Sequence, residues 1–109
     1  MHEVGIAAAI VDAVLRRSEG ARVHRVIVEV GRLSLVQPDA LRFAFEICCE
    51  GGPLEGTALE IVETAGRARC RACGATFLLE RPLGVCACGS IDLDWISGEE
   101  LNVKAMEVS

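Results

Sequence analysis

The chain has no tyrosine, one tryptophan and three phenylalanines, so aromatic residues make up only 4% of its 109 positions. That scarcity argues against a platform for stacking unpaired bases, which needs exposed rings. Positive charge is also short. Eleven Lys and Arg face 16 Asp and Glu, leaving a net charge of −5 and a pI near 5.0. A protein that grips a phosphate backbone carries the opposite imbalance. No apolar run reaches the roughly 18 residues of a membrane-spanning helix. The apolar stretch from Val4 to Leu15 lacks a basic region ahead of it, follows Glu3 and is broken by Asp12, so a secretion signal is not expected. A reducing, cytoplasmic setting follows. There, closely paired cysteines bind metal more often than they form disulfides. Repeats, low-complexity segments and long linkers are missing as well.

Catalytic signatures are also lacking. The sequence offers no paired catalytic carboxylates, no nucleophile-base pair and no phosphate loop, and four thiolates would leave a zinc ion no open position for water. No enzyme is expected. A chain of this length buries roughly 65% of the surface its unfolded form exposes, enough for one modest domain with a small appendage.

What is present is cysteine, six residues of it. Four stand in two tight pairs, Cys70-Arg71-Ala72-Cys73 and Cys86-Ala87-Cys88. Two such pairs can hold one metal ion from two sides, as in the closed tetrahedral site of a zinc ribbon. The ion then supplies folding energy that so short a segment lacks. The second pair has a one-residue spacer. It bites more tightly and is expected to give up one of the backbone N–H groups that usually turn toward the sulfurs. All four cysteines are assigned to zinc, the alternative being three thiolates completed by water or a carboxylate such as Asp92. Gly74 and Gly89 suit the sharp turns after each pair. A redox role for the first pair is disfavoured, since no helix follows Cys73 to lower a thiol pKa. Arg67, Arg69, Arg71 and Arg81 surround the segment, either offsetting thiolate charge or forming a solvated surface.

Hydrophobic spacing predicts a helix over 4–17, with Val4, Ala7, Ala8, Val11, Val14 and Leu15 on its apolar face. A strand follows over 22–30, where Val26, Val28 and Val30 alternate with Arg25, Ile27 and Glu29. Pro38 opens a second helix with Asp39 near its positive end. Its buried stripe is Leu41, Ala44, Phe45 and Cys48, and Gly51-Gly52-Pro53 stops it. Cys49 is read as an exposed thiol, and Phe43 as either core or a partner contact. A second strand covers 57–63 and a last one 101–108, with a change of phase near Met106. His24, Glu46, Glu50 and Glu60 read as surface, and Phe77 and Trp95 as packing in or beside the cysteine segment. The expected architecture is α+β, with two helices on a small three-stranded mixed sheet and an inserted zinc-ribbon hairpin. The expected domains are 1–66 with 97–109, and 67–96.

Several stretches carry a resemblance. The chain opens Met1-His2-Glu3. It contains Glu29-Val30-Gly31-Arg32-Leu33-Ser34, Leu41-Arg42-Phe43-Ala44-Phe45-Glu46, both cysteine pairs and Cys88-Gly89-Ser90. It closes with Ser97-Gly98-Glu99-Glu100-Leu101-Asn102-Val103-Lys104 and Glu107-Val108. In order and spacing this resembles the HypA/HybF family of nickel chaperones over essentially the whole chain, although that family usually spaces both cysteine pairs by two residues. The resemblance implies a nickel-binding α/β domain and a zinc ribbon. It also implies delivery of Ni(II) to the large subunit of nickel-iron hydrogenase, with a HypB-type GTPase as partner. Nickel is then held by His2, with the Met1 amine and the Glu3 backbone nitrogen as further candidate ligands. The chemistry is coherent. An amine with a pKa near 7.7–8.0 loses its proton to a metal near neutral pH, and a nitrogen-rich tetragonal set suits Ni(II). The competing reading is a zinc-ribbon interaction adaptor without nickel transfer. A monomer or weak homodimer is expected.

Overall fold

The computed structural model describes residues 2–109, which divide into two compact units. One comprises residues 2–29, 36–62 and 102–109, the other residues 30–35 and 63–101.

The first unit begins with helix α1, Glu3–Ser18, which ends at Glu19 in the left-handed conformation with Arg16 and Arg17 in its last turn. Cations there oppose the negative end of the helix dipole. The buried stripe is Glu3, Ala7, Ile10, Val14 and Ser18. This is the expected period but a rotated phase, since Val4 is 62% exposed and Leu15 lies half out. The helix is apolar around most of its circumference, so periodicity alone left the facing side undetermined. Strand β1, Val23–Gly31, follows with Val26, Val28 and Val30 buried. Helix α2, Pro38–Cys49, has proline in its first turn, as expected, and packs on α1. Its core positions are Leu41, Ala44, Phe45 and Cys49. The two adjacent cysteines therefore exchange their expected roles. Cys49 is buried and Cys48 half-buried, because steps of four from Leu41 through Phe45 reach 49. Burial, then the neighbouring Cys48, pushes the Cys49 thiol up to about 11. Phe43 is 65% exposed and is not part of the core.

Strands β2, Ala58–Thr64, and β6, Leu101–Val108, flank β1 in the order β2-β1-β6. Side chains fix the directions. Arg25 pairs with Glu60 at 2.6 Å, and Thr57 Oγ1 donates to the Val23 carbonyl at 3.0 Å, so β2 runs parallel to β1. Arg25 also reaches Glu107 at 3.4 Å, and Asn102 donates to Glu29 at 3.2 Å, so β6 runs antiparallel. The sheet is mixed, as expected, because α2 provides the crossover that a parallel pair requires. Along β6 the half-buried residues are Val103 and Met106, an odd separation consistent with the expected change of phase. His24 is exposed, with Nε2 2.8 Å from Ser109 Oγ.

The second unit is a three-stranded antiparallel sheet rather than a simple hairpin. Its strands are β3, Arg67–Cys70, β4, Thr76–Leu78, and β5, Leu93–Ser97, in the order β4-β3-β5. Ala68 faces Phe77 on one side and Trp95 on the other, and Cys70 faces Leu93.

Two phenylalanines on α2 make the burial testable. Phe45→Ala should cost about 3–5 kcal/mol of unfolding free energy. Phe43→Ala should stay within about 0.5 kcal/mol of the parent. Urea denaturation of both variants measures the difference, and equal losses would contradict this placement of α2.

Candidate metal centre

Two turns carry the four paired cysteines, and they are built on one plan. In the first, the Cys70 N–H donates to the Ala75 carbonyl and the Gly74 N–H donates to the Cys70 carbonyl, both at 2.8 Å. In the second, the Cys86 N–H donates to the Ser90 carbonyl at 2.9 Å and the Gly89 N–H to the Cys86 carbonyl at 2.8 Å. Gly74 and Gly89 take φ of 78° and 92°, a conformation glycine reaches without a Cβ penalty. The second loop is thus the first with one residue removed between its cysteines and the hydrogen-bonded frame retained.

The shortening shows in the thiol chemistry. The Cys70 thiol is lowered to about 6, chiefly by the Cys73 N–H, against the opposing effect of burial and with help from the Ala72 N–H and the neighbouring sulfurs of Cys88 and Cys73. Cys86 has only the Cys88 N–H to lower it. Burial and the sulfurs of Cys73, Cys88 and Cys70 outweigh that bond and push it up to about 11. Two backbone donors serve the longer loop and one the shorter, as the spacer predicts.

The sulfurs of Cys70, Cys73, Cys86 and Cys88 all lie within 4.8 Å of one another. Cys70 and Cys88 are 3.7 Å apart, and Cys73 and Cys86 3.5 Å. Four thiolates at about 2.3 Å from a tetrahedral zinc sit about 3.8 Å from each other, so the arrangement fits that ion. In each pair one sulfur is buried, Cys70 or Cys86, and one exposed, Cys73 or Cys88. Asp92 belongs to a different cluster. Its carboxylate lies 3.4 Å from the Arg71 guanidinium, and the Arg71 N–H donates to the Asp92 carbonyl at 3.0 Å. Arg71 Nε also donates to Asp94 at 2.8 Å, and this neighbour holds the Asp94 carboxyl below its usual value. Arg71 therefore ties the first cysteine loop to β5, a role that a sequence showing only an arginine between two cysteines does not announce.

The other expected site lies at the start of α1. His2 is exposed and its carbonyl accepts the Ile6 N–H at 3.1 Å. Glu3 is 5% exposed, and its Oε2 accepts the Gln37 N–H at 3.2 Å. Its carboxylate is thus turned inward, while its backbone belongs to the helix's first turn, where N–H groups lack intrahelical acceptors. Met1, expected to contribute its amine, lies outside the described residues.

A family model described as hydrogenase/urease nickel incorporation, metallochaperone, hypA matches residues 1–108. The chain belongs to the HypA family. The hydrogenase maturation factor HypA of Trichormus variabilis is 53% identical over 108 residues, covering 99% of this chain and 96% of that protein. The HypA of Geotalea uraniireducens is 43% identical over 109 residues, covering 99% of both. The solution structure of the Ni metallochaperone HypA from Helicobacter pylori matches with a TM-score of 0.69 at 24% identity, over 99% of this chain and 97% of that one. The α+β fold is thus that of HypA structures. This HypA-family chain belongs with metallochaperones of nickel incorporation rather than with a family of catalysts.

The lowered Cys70 pKa sets a proton count. Held down to about 6, Cys70 should carry its charge at pH 7.5, so zinc uptake should release fewer than four protons from the cluster. As the pH falls through about 6 Cys70 regains its proton, and the release should rise while affinity falls. Calorimetry in buffers of differing ionisation enthalpy gives the count. Four protons at pH 7.5 would contradict the assignment.

Proposed function

We propose that this protein binds Ni(II) through His2 and passes it to the large subunit of nickel-iron hydrogenase, in concert with a HypB-type GTPase. Zinc is held by Cys70, Cys73, Cys86 and Cys88 and keeps the second unit folded. In this reading the nickel-binding domain is 1–66 with 97–109, the zinc ribbon is 67–96, and the protein works in the cytoplasm, where its thiols stay reduced. The observation that carries the proposal is the start of α1. There an exposed imidazole precedes a helix whose first residue is held by a buried carboxylate hydrogen bond to the Gln37 N–H. Such a helix start leaves His2 open to a receiving ligand set while the helix behind it is fixed in place. Family membership supplies nickel as the cargo, and relatives that are hydrogenase maturation factors favour hydrogenase as the client.

The two metals separate by ligand chemistry. Four thiolates in a tetrahedron suit Zn²⁺. The His2 imidazole and backbone nitrogen, the Met1 amine and the Glu3 backbone nitrogen would make the tetragonal nitrogen set that suits Ni(II). Transfer then proceeds by stepwise exchange of nitrogen ligands at an accessible end, and the zinc thiolates remain bound.

Ni(II) titration of the zinc-loaded, untagged protein by calorimetry tests this reading. One nickel per chain is expected, lost in His2→Ala while zinc is retained. Residues added before Met1 should weaken nickel nearly as much as His2→Ala, since they convert the amine into an amide. Normal binding by the extended protein would remove the amine from the ligand set. Equal binding by the parent and His2→Ala would remove His2 and favour the zinc-ribbon adaptor.

A further inference from the structure

The unit that carries the thiolates includes residues 30–35, which precede Cys70 by a whole helix and strand. They form a short 3-10 turn, Arg32–Ser34, after β1. Leu33 in that turn is 3% exposed and forms a buried cluster with Ala68 and Leu79, against which Phe77 and Leu93 pack. Members of this cluster lie on the strand that presents Cys70 and on the strands paired with it. Ala68 lies on β3 two residues before Cys70, Phe77 faces Ala68 from β4, and Leu93 faces Cys70 from β5. Leu33 therefore belongs to the core beneath the strand that presents Cys70, a core to which both neighbouring strands contribute.

The backbone around Leu33 is fitted to it. The Leu33 N–H donates to the Gly98 carbonyl at 2.7 Å, and the Leu79 N–H donates to the Gly66 carbonyl at 2.8 Å. A Cβ at Gly66 would fall 2.7 Å from Leu33 Cγ, and one at Gly98 would fall 2.7 Å from Gly66 Cα and 2.9 Å from Leu33 Cγ. Contacts that short are not tolerated, so Gly66 and Gly98 keep open the slot that Leu33 fills. A Cβ at Gly31 would collide with the Gly98 carbonyl.

We propose that Leu33 is a positioning residue for the zinc site, completing the core that holds β3 and hence Cys70 in place. The proposal rests on reading the four thiolates as a zinc site. The physical link is short. Zinc binding energy is spent in part on folding the unit that presents the thiolates. A cluster of three buried residues cannot lose its leucine without leaving a cavity that its neighbours only partly fill. The folding deficit then appears as weaker hold on zinc. The compact unit that carries the zinc ribbon is thus discontinuous, closed by a turn 37 residues before the first ligand (Leu33 against Cys70).

Zinc release from the full-length, zinc-loaded protein to an excess of a chromogenic zinc chelator, whose colour change reports the metal captured, tests the proposal. Leu33→Ala should release zinc at least about tenfold faster than the parent, and Leu33→Ile should restore most of the parent rate. With cobalt in place of zinc, the thiolate charge-transfer band of Leu33→Ala should weaken. Val14→Ala, at a fully buried position of the other unit, should lower thermal stability and leave zinc release unchanged. Should Leu33→Ala not fold, the milder Leu33→Val should show an intermediate rate. Parent-like release from Leu33→Ala or Leu33→Val overturns the proposal, as does equal acceleration in Val14→Ala, which would mean global unfolding. A parent protein that takes up no zinc overturns the reading of the site itself, before any variant is compared.

Discussion

Four sulfurs that repel one another as thiolates must meet within one ion's reach, and the second unit is arranged around that demand. Thiolates at this spacing need a cation at their centre and dipoles at their backs. The backbone provides the dipoles. Cys73 and Ala72 point N–H groups at Cys70, and Cys88 points one at Cys86. Arg71 adds the brace, with its backbone on the Asp92 carbonyl and its side chain on Asp94 and Asp92. The strands supply the rest. Cys70 ends β3 and Leu93 begins the strand beside it, so sheet pairing brings the two cysteine loops toward a common point.

The first unit solves a different problem, that of fixing the start of α1 while leaving His2 exposed. Chain ends are ordinarily loose unless something ties them down. Here the tie is a carboxylate. Glu3 is buried at the first residue of α1 and accepts the Gln37 N–H from just ahead of α2. Since α1 packs on α2, the same residue anchors the helix start to the element beside it and leaves His2 exposed. A glutamate in a first helical turn is commonly read as a dipole partner. Its added role as a cross-link between two segments explains why an ionisable side chain is buried there.

Much of this was legible in the sequence because it depends on local chemistry. Cysteine spacing announced that four cysteines would converge, and removing one spacer residue removed one backbone donor. Pro38 marked the start of α2 and alternation marked β1 and β6. The misplacements share one cause. Where a helix is apolar around most of its circumference, period does not give phase. Ile10 rather than Val4 turned inward on α1, and Cys49 rather than Cys48 on α2.

The sequence by itself determined both helices, the strands of the first unit, the four-cysteine cluster and the family, since each is carried by residue type at short separation. The tertiary structure alone decided what closes the cluster's scaffold. Leu33, Gly66 and Gly98 are unremarkable residues far apart in the chain, and they acquire meaning only when Leu33 fills the slot the two glycines keep open. Packing of this kind leaves no periodic or compositional trace, because it depends on which surfaces meet and not on what any one segment prefers.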